Sequence, residues 1–352
     1  MRRFTKRPEI FDGPLVSVLI PMRNEEKNAQ KCLTSLRNQL YKNYEILVLN
    51  DNSTDNTAAI LEQIAKEDSR VKVFDGKPLP EDWYGKPFAL HQLSLHAKGD
   101  IFIFTDADTE HSPESISWAV TNMHNLKIDM ISGYIGQKFL TFGEIIAVPL
   151  MFLLTGFILP LFLNRITKLS WFSAAIGHFI AVRNDVFKAI GGCEAFKKRT
   201  SEDIYMSRIV KKKGYSTRFF YICEYVHCRM YNGYRRAIEG IGKNIFDFLG
   251  KNTFILFFII IAILLFLFLP FPLLIYNLIT SSLGLTPWLL HIVIVNILYT
   301  LTWFFIFLGQ RLNWWYSFFW PLMIINFLYM GAWSWFRSVS GKGFIWKDRK
   351  VN

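Results

Sequence analysis

Residues 101–110 read IFIFTDADTE, from Ile101 to Glu110. Four apolar β-formers, Ile101 to Phe104, run into Asp106 and Asp108, two carboxylates one residue apart. A buried parallel strand reads as a continuous apolar run, and ligands of open α/β sheets sit beyond the carboxyl ends of the strands. Two acids at such an end repel each other unless a cation or hydrogen-bond donors offset their charge. The pair therefore has two readings. It is either a ligand set for a divalent metal held against a phosphate, or a turn, since Thr-Asp-Ala-Asp-Thr is also good turn and cap chemistry.

Upstream, the same pattern recurs. Leu15 to Met22 (LVSVLIPM) reads as a buried strand ending at Arg23-Asn24-Glu25, and Lys27 to Leu40 places Cys32, Leu33 and Leu36 on a helical period. Tyr44 to Leu49 (YEILVL) is a second strand, followed by Asn50-Asp51 and a helix over Asn56 to Asp68. Val71 to Phe74 is a short third strand, and a helix runs from Lys86 through Ala97. Alternating strands and helices of this length predict an α/β domain, a mostly parallel Rossmann-like sheet with helices on both faces. Arg23-Asn24-Glu25, Asp51 and Asp106/Asp108 then converge on one sheet edge, which suits a nucleotide site better than three unrelated turns. The chain has no Gly-x-Gly-x-x-Gly and no Walker loop, so phosphates must meet a metal and basic side chains. Lys86, in Tyr84-Gly85-Lys86-Pro87, is the nearest such cation.

The composition of the 352-residue chain is divided unevenly. Between Asn252 and Gln310 there is no Asp, Glu, Lys or Arg, and Leu312 to Phe336 is again free of them. Both runs exceed the roughly 20 residues that span a bilayer. The reading is a polar N-terminal domain over 1–243 and a membrane region over 244–352, with crossings at 254–279, 288–308 and 315–335. The basic start MRRFTKRPEIFD lacks an apolar signal core, so the polar domain is expected on the cytosolic side of a multi-pass cell-membrane protein. Three crossings would leave the C-terminus outside, yet Arg337, Lys342, Lys347, Arg349 and Lys350 follow the positive-inside rule. A break at Pro270-Phe271-Pro272 into a re-entrant hairpin would leave two crossings instead. The net charge of +12 is spread along a phosphate-handling domain and membrane flanks, which argues against nucleic acid as a partner.

Ile145 to Leu163 is apolar and interrupted by Pro149, Gly156 and Pro160, and farther on Glu202-Asp203 forms another acidic pair ahead of a helix over Ile204 to Lys213. If both acidic pairs serve one site, the segment 142–166 cannot cross once. It is read as interfacial or re-entrant, with a hydrophobic core helix pair as the alternative. Phe172 to Val182 returns to the sheet, and Tyr225 to Lys243 is a basic, aromatic stretch ahead of the first crossing. The four cysteines suit a reducing compartment, and Cys223, His227 and Cys228 match no standard zinc spacing.

The segments IPMRNE, LNDNSTDNT, WYGKPFAL, FTDADT, GHFIAVR and SEDIYMSRIVKKKG, in this order, resemble the family 2 glycosyltransferases with the GT-A fold. Trp83 to Lys86, with Arg229-Met230-Tyr231, is most similar to the membrane-bound, single-transfer branch that includes carotenoid-acid (4,4'-diaponeurosporenoate) glycosyltransferases. The Gln-x-x-Arg-Trp motif of the processive synthases is absent. The resemblance implies a nucleotide-sugar donor such as UDP-glucose, Mg²⁺ or Mn²⁺, and inversion at the anomeric carbon. It implies that Pro21, Arg23, Asn24, Glu25 and Asp51 line the nucleotide and that Lys86 faces uracil or diphosphate. Asp106 and Asp108 take the metal and sugar, Asp203 is the catalytic base with Glu202 beside it, and Arg229 is assigned to the diphosphate, with a pair to Glu224 or Glu239 as the alternative. A membrane lipid acceptor, such as a carotenoid acid, would approach along Ile145, Phe152, Phe157 and His178. Transfer to a polyprenyl phosphate is the second reading. A non-catalytic nucleotide-sugar-binding scaffold is the third, and retention of all the acidic positions argues against it.

Overall fold

The computed structural model describes residues 6–153, 163–164, 167–280, 287–346 and 349–351. In order along the chain, the elements of the polar region are β1 (Val16–Met22), α1 (Ala29–Arg37), β2 (Tyr44–Asn50), α2 (Thr57–Glu67), β3 (Val71–Asp75), α3 (Gly85–His96) and β4 (Ile101–Phe104). They continue with β5 (Thr109–His111), α4 (Ser115–Asn125), β6 (Met130–Tyr134), β7 (Gly136–Gln137), α5 (Phe142–Ala147), α6 (Leu150–Leu153) and β8 (Ile180–Arg183). Last come α7 (Asn184–Ala189), α8 (Glu202–Lys212), β9 (Thr217–Tyr221), β10 (Val226–Cys228) and α9 (Tyr234–Phe248). β1 to β4, α1 to α3 and α8 stand within a few residues of their expected bounds, whereas the stretch Phe172 to Val182 is strand only from Ile180.

Seven strands form one sheet in the order β3-β2-β1-β4-β8-β6-β9. β8 runs antiparallel to both neighbours, β4 and β6, while the other pairs are parallel. Side chains alternate between the two faces of a strand, and β1 divides accordingly. Val16, Val18, Ile20 and Met22 pack with Cys32, Leu33 and Leu36 of α1, Leu61 of α2 and Trp118 of α4. Leu19 joins the opposite core with Leu90 and Leu93 of α3, Phe187 of α7 and Met206 of α8. The register sets Met22 opposite Asn50 and Leu19 opposite Phe104, so β1, β2 and β4 release their polar residues at one edge. Pro21 fits here because β1 and β4 stop pairing at Leu19. Met22 accepts the Asp51 N–H on the β2 side, so the missing N–H of Pro21 falls where no ladder bond is due. A smaller sheet, β5-β10-β7, lies downstream of the Asp-x-Asp.

Two compact units are present. One is built from Met1–Lys138 and Ile158–Met230, the other from Phe139–Phe157 and Tyr231–Trp346, and the last few residues are divided between them. α5 and α9 thus group with the C-terminal helices. Within that second unit Thr141 is the N-cap of α5: Thr141 Oγ1 accepts the Glu144 N–H at 3.3 Å, and the buried Glu144 carboxylate accepts the N–H groups of Leu140 and Gly233 at 2.8 Å each. The segment expected to be interfacial is therefore two short helices, α5 and α6, as far as Leu153, and most of the remainder lies outside the described residues.

Next follow α10 (Thr253–Ala262), a π-helical stretch over Ile263–Phe268, and α11 (Pro270–Ile279). They form one continuous 27-residue helix, so Pro270 and Pro272 do not open the hairpin that their sequence allowed. Pro270 has no N–H to offer the preceding turn. The Tyr299 hydroxyl of the next helix donates instead to the Phe266 carbonyl, and Asn296 donates to the Pro270 carbonyl at 3.1 Å. α12 (Pro287–Gly309) is the second helix long and apolar enough to cross a membrane. The expected third crossing, 315–335, is a 3₁₀ turn over Trp314–Phe319 followed by α13 (Trp320–Val339). α13 lies along α9, with Asn326 accepting from the Tyr234 hydroxyl and the Ser334 hydroxyl accepting the Phe246 N–H at 3.2 Å.

Candidate active site

The carboxyl end of β4 and the first turns of α3 and α8 meet at one point. Lys86, at the start of α3, extends Nζ to 2.7 Å from Asp106 Oδ1 and 3.0 Å from Glu202 Oε1. Asp203 Oδ2 accepts the Gly177 N–H and Oδ1 accepts the Ile204 N–H, each at 2.8 Å. Gly177 lets the lysine approach closely: a Cβ on it would stand 2.8 Å from Lys86 Nζ, 3.5 Å from Asp203 Oδ2 and 3.6 Å from Asp106 Oδ2. Leu90, Phe104, Ile180 and Met206 close the apolar side of the same cavity.

The charges there are unequal. Burial and the neighbouring Glu202 charge raise the Asp203 carboxyl to about 7, against the pull of Lys86 and two backbone N–H groups. Burial alone would lower the Lys86 ammonium, but the combined charges of Asp106, Glu202 and Asp203 outweigh it and hold Lys86 well above its ordinary value. Glu202 and Asp203 also occupy the first turn of α8, where negative charge complements the helix dipole. Capping and a catalytic role are compatible at Asp203.

Asp108 and His178 complete a second set. His178 Nδ1 lies 3.8 Å from Asp106 Oδ2 and Nε2 lies 3.7 Å from Asp108 Oδ1. One donor atom from each of the three falls within 4.8 Å of the others, and no other such group of His, Cys, Asp and Glu occurs among the described residues. His178, assigned from sequence to the acceptor region, stands beside the two carboxylates. Cys223, His227 and Cys228 form no comparable group, and all four cysteines are buried and unlinked.

A separate cluster occupies the ends of β1 and β2. Arg23 Nη1 donates to the carbonyls of Asp51 at 2.8 Å and Asn52 at 3.0 Å, tying the two loops together. Asn24 and Asn52 take left-handed backbone angles, φ 52° and 53°, which asparagine tolerates better than most residues. The Asn24 side chain accepts the Thr54 N–H at 2.8 Å and the Glu25 N–H reaches Thr57 Oγ1 at 2.8 Å. Asp51 is buried under the Gly76 turn, which is bonded to the Asn50 carbonyl at 2.9 Å. Arg229 leaves β10 directly after Cys228, which is opposite Thr109, so its backbone stands close to the Asp-x-Asp loop. Ile145 and Phe152 are buried within the second unit, and Phe157 lies outside the described residues. Gly177 carried no assignment from sequence, although the Gly-His pair ahead of β8 was the signal for it.

A mixed α/β sheet with an Asp-x-Asp at the end of its fourth strand, and an antiparallel strand beyond it, is the GT-A architecture. The mannosyltransferase PcManGT from Pyrobaculum calidifontis, solved with GDP-Man and Mn²⁺, shares the fold with a TM-score of 0.57 at 16% identity, over 94% of this chain and 88% of that one. Residues 17–191 match the model described as glycosyl transferase family 2, and the chain belongs to that family. Among curated relatives it is 28% identical over 218 residues to the Bacillus subtilis protein named "Probable glycosyltransferase YdaM", covering 61% of this chain and 50% of that one. It is 36% identical over 111 residues to a Staphylococcus haemolyticus 4,4'-diaponeurosporenoate glycosyltransferase, covering 32% of this chain and 28% of that one. The matches thus span half or less of these relatives' own length.

Proposed function

We propose that this chain transfers a single sugar from a nucleotide-sugar donor to a lipid acceptor at the cytosolic face of the cell membrane, with inversion at the anomeric carbon. The observation that carries the reading is the convergence of Asp106, Asp108, Lys86, His178, Glu202 and Asp203 on one strand edge. Four carboxylates there face a single lysine, and the excess negative charge favours a divalent cation. The donor set of Asp106, Asp108 and His178 fits one: carboxylates suit Mg²⁺ and Mn²⁺, and an imidazole nitrogen favours Mn²⁺ of the two. Such an ion, when bound, supplies Lewis-acid stabilisation of the charge that builds on the departing diphosphate.

The remaining work falls to side chains. Asp203, with its carboxyl raised to about 7, takes the proton of an acceptor hydroxyl, whereas an acceptor carboxylate, already ionised, attacks without that step. The acceptor oxygen forms its bond to the anomeric carbon as the bond from that carbon to the diphosphate breaks on the opposite face. Lys86 holds Asp106 and Glu202 in place and offers a cation to the diphosphate. Arg23, Asn24, Glu25 and Asp51, on the rigid ends of β1 and β2, frame the nucleotide, with Arg229 on the diphosphate side. A UDP-hexose donor and a carotenoid acid or other lipid acceptor are favoured by the sequence resemblance and by the relative from Staphylococcus haemolyticus. Purified full chain with Mn²⁺ should turn over the donor; loss of turnover in Asp108→Ala and Asp203→Asn supports the reading, and intact turnover in both overturns it.

Two membrane crossings, Thr253–Ile279 and Trp288–Gly309, suit this placement. With α13 lying along α9 as an interfacial helix, Asn252 and the basic residues Arg337 and Lys342 share the cytosolic side. A cysteine placed after Val339 should then resist an impermeant label applied to intact cells, and labelling from outside would restore the odd count.

A further inference from the structure

Behind the Asp-x-Asp loop lies a buried polar network that the transfer chemistry does not touch. Thr109 Oγ1 donates to the Asp106 carbonyl at 2.6 Å, and Thr105 Oγ1 donates to the His178 carbonyl at 2.8 Å. The two hydroxyl oxygens stand 2.8 Å apart, and His111 Nε2 stands 3.0 Å from one and 3.2 Å from the other. Each threonine has a single proton. With both committed to carbonyls, no proton is left between the oxygens unless the imidazole supplies it. Nε2 must therefore carry the hydrogen and share it between them. On the other side, Ser115 Oγ can donate to either His111 Nδ1 at 3.2 Å or Gln39 Oε1 at 3.0 Å; Gln39 Oε1 already accepts the Ile116 N–H at 3.1 Å, so in the Nε2–H tautomer the Ser115 proton serves Nδ1, and the His111 backbone N–H donates to Ser35 Oγ at 3.0 Å. Burial, reinforced by the nearby His227, pushes the His111 imidazole down to about 3, so it stays neutral with one proton to place.

The consequence is a link between two segments far apart in sequence. Asp106 follows β4, and His178 precedes the antiparallel β8. Each offers a side chain to the ion and a backbone carbonyl to the same imidazole-centred network. We infer that His111, fixed as the Nε2–H tautomer, is a positioning residue that holds the Asp106 and His178 halves of the metal site at their mutual spacing through Thr109 and Thr105. The inference rests on the metal-site reading above. Outer-shell partners of this kind are worth about 10–100-fold in metal affinity.

Glutamine and asparagine separate this role from simple core filling. The amide nitrogen of Gln reaches near the Nε2 position, whereas that of Asn reaches only near Nδ1. Mn²⁺ binding to the full chain in detergent, measured by calorimetry, should weaken by about 10-fold or more in His111→Asn and return to within about 3-fold of wild type in His111→Gln. Thr109→Val, which keeps the core volume and removes one arm, should weaken it as His111→Asn does, with little change in melting temperature. Selective ¹⁵N-histidine labelling should show the buried imidazole protonated at Nε2 alone. Equal Mn²⁺ affinity in wild type, His111→Asn and Thr109→Val, alongside loss of binding in Asp108→Ala, would overturn the role of His111 and leave the metal site standing. Equal weakening in the Gln and Asn variants would reduce His111 to packing. Wild-type protein that binds no Mn²⁺ would remove the metal site, and this inference with it.

Discussion

Gly177→Ala is the smallest change that tests the assembled site. Gly177 has no positive φ, so alanine meets no backbone strain, and the N–H that bonds Asp203 is retained. The added Cβ would lie 2.8 Å from Lys86 Nζ. An ordinary contact needs about 3.5 Å, so the ammonium must retreat by roughly 0.7 Å. Its bonds to Asp106 and Glu202, now 2.7 and 3.0 Å, lengthen by a similar amount. Charge-assisted hydrogen bonds contribute about 1.5–3 kcal/mol each, and most of one is lost. Misplacement on the order of 1 Å costs up to about 10²-fold in rate. The expected result is a 10–100-fold fall in kcat, with the melting temperature moved by only a few degrees because the lysine tip is flexible. Steady-state donor turnover and thermal unfolding of the same preparation measure both. The decisive control is Lys86→Ala, on which Gly177→Ala should add little further loss. A Gly177→Ala enzyme at the wild-type rate, or two changes whose effects multiply in full, would refute the packing argument.

Two further outcomes follow from other parts of the molecule. The Asp203 carboxyl sits near 7 in the fold and near the ordinary carboxylate value when unfolded, so the fold favours its protonated form. Stability from that form is present below about pH 4 and is lost as pH rises through 7, while kcat/KM for the free enzyme should climb over the same upper range. Asp203→Asn should flatten the rate profile and gain stability over wild type as pH rises from 5 to 8; a constant difference would contradict it. In the membrane unit, Tyr299→Phe should cost about 0.6 kcal/mol and at most about 1.7, the average and the upper end found for interhelical hydrogen bonds in bilayers. The cost should vanish in a Pro270→Ala background, where the helix regains its own N–H; a cost unchanged by that substitution would refute the pairing.

Strand-to-acid boundaries were readable before any coordinates because β1, β2 and β4 are continuous apolar runs that stop at Arg23, Asp51 and Asp106. The antiparallel insertion of β8 was not readable. Ile180 to Arg183 is as apolar as a parallel strand, and direction depends on long-range pairing with Ile101 to Phe104. The place of His178 beside Asp106 and Asp108 was hidden for the same reason: the two carboxylates are about 70 positions away and arrive only through that pairing. The segment expected as a third crossing is not one of the two helices among the described residues that are long and apolar enough to span, Thr253–Ile279 and Trp288–Gly309. Residues 315–335 have the composition of a span, yet Asn326 and Ser334 fall on the α13 face that meets Tyr234 and Phe246 of α9. Hydropathy records how apolar a helix is and not which neighbour it lies along.

The most direct measurement follows a labelled sugar. Full-length protein in vesicles containing lipid extract is given Mn²⁺ and UDP-[¹⁴C]glucose, with other nucleotide sugars in parallel, and the organic phase is counted. The account predicts label in the organic phase with wild type, and a fall of about 10²–10⁴-fold with Asp203→Asn. Label that stays in water with every donor, or reaches lipid equally well without the Asp203 carboxylate, would contradict it.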